Sequence, residues 1–337
     1  MKPTDLARRL TAYLSEFLPG QRNASPNTVK SYAQAFTLLL RHFRDHRKLS
    51  PERLTLDHLA PDAILEFLRT LEDGRNCCVR TRNQRLAAIR SFFRYLQALL
   101  PERLSQCQRI LAIPPKRAPR NTTINHLTPT CMKALLAQPD QHTVRGRRDA
   151  TLLALLYDTA MRVQELSDLT PGQLRLESPA HVNVTGKGRK RRLIPLLRAT
   201  VALLRNYLAE QGLDAPETRS TPLFHNRQGQ RLAPNGVRYI VRKYARRVEK
   251  SLGTARVQVT PHTFRHSKAM HLLQSGNPLV VVQSFLGHAD IQTTTVYARA
   301  DIEMTRAALA SSPVATPKAR TPSWEKQPGL LAWLQSL

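Results

Sequence analysis

Thr260-Pro261-His262-Thr263-Phe264-Arg265-His266, then Phe285-Leu286-Gly287-His288, then Thr293-Thr294-Thr295-Val296-Tyr297: this stretch decides how the chain is read. Thr260 can cap a helix, and Pro261 suits the first helical position. His262 and Arg265 then lie three apart in the first turn and share a face. A helix N-terminus favours anions, so the pair sits where a phosphate is welcome. Gly287 reads as the stop of a helix running from Leu279 to Leu286, which puts His288 just past a helix end. Asp290 can cap a short following helix that holds Tyr297.

These residues resemble the second box of the tyrosine recombinase (phage integrase) family. That box holds a His-x-x-Arg pair, a Leu-Gly-His and a nucleophilic tyrosine nine residues on. Any one of these residues alone fits an ordinary surface helix, and the weight comes from four types coinciding at these spacings. The first box stands as Thr159-Ala160-Met161-Arg162-Val163-Gln164-Glu165-Leu166. Ala160 replaces the usual glycine, which costs little at negative φ and strains the backbone at positive φ. Phe264 stands where an aliphatic residue is commoner. Between the boxes, Thr185-Gly186-Lys187-Gly188-Arg189-Lys190-Arg191-Arg192 resembles the hairpin whose turn lysine is a general acid in this family.

The resemblance implies a role for each matching residue. Tyr297 is the nucleophile. Arg162 and Arg265 clamp the non-bridging phosphate oxygens with forked donors, which lysine cannot imitate. A tyrosine with a free pKa near 10 needs a base or a strongly cationic site, and His262 is the base candidate. His288 is a second phosphate donor or an aid to Tyr297, and Lys187 protonates the leaving 5′-oxygen. His266 reads as structural. No metal or other cofactor is expected.

The rest of the chain agrees. Lys plus Arg number 52 against 24 acids among 337 residues, a formal charge of +28. Such an excess points to a polyanion, nucleic acid before an anionic membrane. No long apolar run or amphipathic anchor supports the membrane. The basic start, Met1 to Arg9, is no secretory signal. Cys77, Cys78, Cys107 and Cys131 lack metal-ligand spacing and read as reduced thiols.

Apolar spacing predicts helices over Asp5–Phe17, Ser25–Arg44, Asp62–Leu71 and Val79–Leu100, a module with no strand signal. Arg80, Arg82, Asn83 and Arg85 read as the polar face of the fourth helix, with Lys30 on the second. Arg and Asn are the residues that read purine edges, so this face is the candidate for base recognition. Arg189 and Lys190 at the hairpin are candidates for phosphate contact. Pro114 to Arg120 reads as an extended basic linker. The expected division is a helical core-binding domain over 1–112, a linker over 113–125, a catalytic domain over 126–311 and a tail over 312–337. In the catalytic part, helices are expected near Pro129–Leu136, Arg147–Ala160, Val163–Leu169, Ala199–Gln211, Pro234–Ser251 and Ile302–Leu309. A hairpin pairs His181–Thr185 with Arg192–Leu196. Ser311–Gln327 reads as flexible, before a short apolar end.

The expected fold is mainly α with a small antiparallel β-sheet: a SAM-like helical domain plus a mixed α/β catalytic domain. The implied function is site-specific DNA recombination through a covalent 3′-phosphotyrosine, by four protomers on inverted-repeat sites in double-stranded DNA. An integrase or transposase of a mobile element is favoured. A Xer-like resolver of chromosome or plasmid dimers is the alternative, and a non-catalytic DNA-binding regulator or a type IB topoisomerase are rivals. The place of action is the bacterial cytoplasm, at the nucleoid.

Overall fold

The computed structural model describes residues 2–117, 125–186, 191–252, 258–287, 294, 297, 331, 334 and 335. The chain divides into two compact units, Met1–Arg120 and Asn121–Leu337.

The first unit is all helical. Helix α1 (Asp5–Ala12) is capped by Thr4 and continues through Tyr13–Gln21 as π-helical turns that include Pro19, longer than the expected helix. Ser25 caps α2 (Pro26–Arg47), with proline at its first position. Helices α3 (Pro61–Asp73) and α4 (Val79–Leu99) follow. A short α5 (Leu104–Leu111), not expected from the sequence, buries Cys107 and Ile110. Apolar stripes from these helices make one core. At its centre Phe92 meets Tyr13 and Phe36 edge-on, each at 5.2 Å between ring centroids.

The basic face expected on α4 is corrected here. Arg82 is buried, at 5% exposure. Its Nη1 donates to Asn83 Oδ1 and to the Pro114 carbonyl, and its Nε lies 3.9 Å from Glu72. Asn83 holds the backbone of Lys116 from both sides. Its Nδ2 donates to the carbonyl at 2.7 Å, and its Oδ1 accepts from the amide at 3.0 Å. Arg85 donates to the Ser31 carbonyl and to Gln34 Oε1. These donors serve the chain's own backbone, while Arg80 and Lys30 stay exposed. The first half of the expected linker is therefore strapped to α4, and Ile113 lies in the core.

The second unit begins with α6 (Pro129–Leu136), capped by Thr128. Helix α7 (Val144–Thr159) is its central element, with Leu152, Leu153, Leu155 and Leu156 all at 0% exposure. Such a helix, apolar around most of its girth, must be covered on several sides. Helix α8 (Val163–Ser167) precedes a three-stranded antiparallel sheet in the order β1-β2-β3. Its strands are β1 (Leu174–Arg175), β2 (His181–Thr185) and β3 (Arg191–Pro195). Val184 pairs with Arg192, as the expected hairpin requires, and β1 adds a strand the sequence did not signal. Helices α9 (Arg198–Gln211), α10 (Pro234–Leu252), α11 (Pro261–Gln274) and α12 (Leu279–Leu286) complete the unit. The expected helix over Ile302–Leu309 and the flexible reading of Ser311–Gln327 fall outside the described residues. All four cysteines are free. Among the described residues, no helix is long and apolar enough to cross a membrane.

The strap on α4 gives a prediction. Asn83→Ala removes three hydrogen bonds, two of them to the Lys116 backbone, and should lower the stability of the first unit by about 1–2 kcal/mol. Hydrogen exchange at the Lys116 amide should accelerate, and unchanged protection there would refute the strap.

Candidate active site

Helix α11 is the site's spine. Thr260 Oγ1 accepts from the Thr263 amide, and Thr263 Oγ1 accepts from the Thr260 amide, a reciprocal cap that fixes the first turn. His262, Arg265 and His266 then project within little more than one turn. The helix is pinned lower down. Ser267 Oγ accepts from the Leu127 amide at 2.8 Å, His271 Nε2 meets the Leu127 carbonyl at 2.8 Å, and His271 Nδ1 meets the Tyr157 hydroxyl at 2.8 Å.

Arg265 is buried, at 4% exposure. Its Nη1 donates to the Ala160 carbonyl at 2.7 Å and its Nη2 to the Leu286 carbonyl at 2.6 Å. Those carbonyls end α7 and α12, where a helix has acceptors without intrahelical partners and a negative dipole end. Burial, and then repulsion from Arg162, lower its pKa to about 10, so it stays charged at neutral pH.

Both helices end in a left-handed residue. Gly287 has φ +64°, and a Cβ there would stand 2.9 Å from Arg192 Cδ. Ala160 has φ +46°, so the glycine-to-alanine departure is the strained case. Ala160 is fully buried and packs with Ala269, Met270 and Leu286. Strain of roughly 1–2 kcal/mol is offset by about 0.8 kcal/mol of buried methyl and by a less flexible unfolded chain.

Arg162 opens α8 and donates from its backbone amide to Glu165 Oε2 at 2.7 Å and from Nη1 to Oε1 at 2.9 Å. Arg192 on β3 donates to the same carboxylate, Nη1 to Oε1 at 3.1 Å and Nη2 to Oε2 at 2.7 Å. Burial pushes the Glu165 carboxyl up, and the Arg192 and Arg162 bonds overcome it, leaving it below the ordinary range.

Tyr297 is 2% exposed, and its hydroxyl lies 2.8 Å from His266 Nδ1. Burial raises the phenol pKa, and Arg265 and Arg162 pull it back. Burial, with His262 and Arg265 next, lowers His266 to about 4, so the ring is neutral and can accept from the phenol. His262 is lowered by desolvation and then by Arg265, Arg238 and Arg162. Its ring centroid is 6.4 Å from that of His266.

The structure thus brings together Arg162, His262, Arg265 and Tyr297. It adds His266, read from the sequence as structural, to the tyrosine hydroxyl. The signal was its position four residues after His262, one turn along the same face. Lys187, His288, Arg189 and Lys190 lie outside the described residues. The expected helix over Pro234–Ser251 is α10, but its basic face was not read from the sequence. Arg238, Arg242 and Arg246 recur on its exposed face beside Tyr239, Lys243 and Arg247, lining a groove of about 550 Å³.

Comparison with known proteins agrees with this geometry. Residues 125–304 match the phage integrase family, and residues 10–98 match the phage integrase N-terminal SAM-like domain. The chain belongs to the phage integrase family. It is 39% identical to y4rC of Sinorhizobium fredii, named as an integrase/recombinase, over 100% of this chain and 99% of that one. It is 33% identical to the tyrosine recombinase XerD of Listeria innocua, over 83% of this chain and 90% of that one. Among solved structures, XerH bound to its difH substrate superposes with a TM-score of 0.62 at 23% identity, covering 88% of this chain and 83% of that one. The Tn1549 transposon integrase with circular intermediate DNA gives 0.64 at 17%, covering 89% and 98%. The tyrosine recombinase fold, a SAM-like helical domain with an integrase catalytic domain, is the fold of this chain, and site-specific recombination is its activity.

The left-handed turn at Ala160 is testable by denaturant unfolding. Ala160→Gly should stay within about 1 kcal/mol of the parent, because relieved strain and lost contacts oppose each other. Ala160→Val, β-branched at positive φ and buried, should cost at least about 2 kcal/mol. A neutral Ala160→Val would show that the turn is not left-handed.

Proposed function

We propose that this chain cuts and rejoins double-stranded DNA through a covalent 3′-phosphotyrosine at Tyr297, as an integrase or transposase of a mobile element acting on inverted-repeat sites. The observation that carries the reading is the Tyr297 hydroxyl, held on His266 beside the charge of Arg265 and Arg162. In the reaction Tyr297 Oη attacks phosphorus, the bond to the 5′-oxygen breaks, and the phenol proton leaves to a ring nitrogen. His266 is the nitrogen in contact, with His262 one turn away. Arg162 and Arg265 face the non-bridging oxygens with the donors their protein bonds leave over. Lys187 supplies the proton to the departing 5′-oxygen, and His288 is a second donor to the phosphate. The partner strand's 5′-hydroxyl later reverses the step, so bond energy is conserved without a high-energy cofactor.

The mobile-element assignment draws support from the full-length likeness to y4rC, with a Xer-type dimer resolvase as the second reading. Four protomers assemble on DNA at the nucleoid. DNA lies on the exposed face of α10, where three arginines one turn apart track phosphates and Tyr239 is 69% exposed among them. Arg80 and Lys30 meet phosphate from the first unit.

A suicide substrate, nicked so that the cleaved fragment diffuses away, tests the chemistry. The native protein should accumulate a covalent adduct, and Tyr297→Phe should bind equally and form none. An adduct with the phenylalanine variant would remove Tyr297 from the role.

The α10 face is tested by binding at several salt concentrations. Arg242→Ala and Arg246→Ala should each weaken binding to all sequences alike and reduce the salt slope by about one. Slopes equal to the parent's would place DNA elsewhere.

A further inference from the structure

Arg192 belongs to none of the roles above, yet it is held in the site by a buried carboxylate and by the backbone at Gly287. It sits on β3 opposite Val184, and its side chain is 13% exposed. Its fork takes both oxygens of Glu165, at 3.1 and 2.7 Å. Its stem lies under Gly287, so close that a Cβ there would be 2.9 Å from Cδ and 3.3 Å from Nε. Its Nε is buried without a hydrogen-bond partner among the described residues. That is the cost of a side chain placed for another purpose than its own satisfaction.

The purpose follows from charge. Glu165 is buried, at 6% side-chain exposure, and it contacts Arg162 through one side-chain bond of 2.9 Å. Were Glu165 and Arg162 alone, a carboxylate and a guanidinium would form a forked, neutral pair. Arg162 would turn its donors inward and bring no net charge to a phosphate. With Arg192 present, the carboxylate's two oxygens are engaged by a second fork. Two cations then share one anion, and a positive charge remains at Arg162, which is 34% exposed. A phosphodiester carries one negative charge, and attack by a deprotonated phenol adds a second, so this surplus acts most strongly in the transition state.

We propose that Arg192 is a positioning residue of the recombination reaction: by occupying both oxygens of Glu165 it keeps that carboxylate from retracting and neutralising Arg162, and so leaves the Arg162 fork charged and turned to the scissile phosphate. The proposal rests on the reading of Arg162 as a phosphate clamp. It places no part of Arg192 on the DNA.

The test is the first-order rate of adduct formation on the suicide substrate, with full-length protein and binding measured separately. Arg192→Met should slow cleavage by about 100-fold while leaving the dissociation constant within about threefold. The double variant Glu165→Gln with Arg192→Met should be at least about tenfold faster than Arg192→Met alone, because no carboxylate remains to capture Arg162. It also removes the unpaired buried charge, so it remains informative if Arg192→Met folds poorly. Arg192→Lys, which keeps the charge but loses the fork, should fall between the parent and Arg192→Met.

A substrate with a methylphosphonate at the scissile position supplies a readout that a merely structural role would not move. It lacks one anionic oxygen, so the penalty of Arg192→Met should shrink to below about threefold, while Tyr297 remains necessary. Arg192→Met cleaving at the parent's rate would overturn the proposal. So would a double variant no faster than the single one, or an equal penalty on methylphosphonate. If Arg162→Ala itself cleaves normally, the clamp reading fails instead, and the two failures are told apart.

Discussion

A buried guanidinium bridging two helix ends is the contact on which the catalytic unit depends. Arg265 reaches the carbonyl of Ala160, the residue that caps α7, with one nitrogen and the last carbonyl of α12 with another. Taking a cation out of water costs several kcal/mol unless partners replace the water. Here the partners are acceptors that helix geometry leaves unused, at the negative ends of two dipoles. Both helices must stop abruptly to present them, which is why Ala160 and Gly287 are left-handed. One arginine therefore fixes where two distant segments of chain meet. Thr159–Arg162 and Leu286–Gly287 lie more than a hundred residues apart in sequence and become neighbours through it.

The same helix that carries Arg265 holds the beginning of its own unit. The Leu127 peptide is gripped at its amide by Ser267 and at its carbonyl by His271. Ser267 in turn donates to the Thr263 carbonyl one turn earlier. The residues that begin the catalytic unit are thus hydrogen-bonded to the helix that positions the tyrosine's partner. Arg82 and Asn83 do the equivalent for the end of the first unit, on α4. Residues on either side of the intervening segment are anchored to a helix of their own unit.

Much of this was legible in the sequence, and what was not has a common physical cause. Helices α2, α4, α7 and α10 follow from apolar spacing, and the caps at Ser25 and Thr260 from side-chain chemistry. Those are local properties. Arg82 was misread because four cationic or amide residues within two turns look like a solvated face. Its acceptor, the Pro114 carbonyl, is 32 residues away and visible only in the fold. The contact of His266 with Tyr297 was hidden for the same reason, since the two lie 31 residues apart. The sign of φ at Ala160 is set by what Arg265 requires of the α7 carboxyl end, and no neighbour in sequence reports it. The short β1 and α5 carry too few residues for a periodic signal.

The site at rest is not poised to react, and the charges say what must change. The phenol sits above its ordinary pKa of 10, and His266 sits at about 4. The phenol is raised and the imidazole lowered, so moving the proton between them runs uphill in the resting site. Both displacements come first from burial. After it, cations lower His266 and His262, while Arg265 and Arg162 favour the phenolate. In the proposed reaction, a phosphodiester bound on Arg162 and Arg265 adds a negative charge where those cations act. It restores basicity to His262 and His266, which are depressed in part by Arg265. It also weakens the pull of the cations on the phenolate, so the net gain depends on geometry: the phosphate must sit closer to the rings than to the phenolic oxygen until attack begins. On the proposed reading, charge then moves from that oxygen onto the phosphate oxygens, where the two arginines stabilise it. On that reading, substrate binding and activation of the nucleophile are one electrostatic event, centred on two arginines that the protein's own carbonyls and Glu165 hold in place.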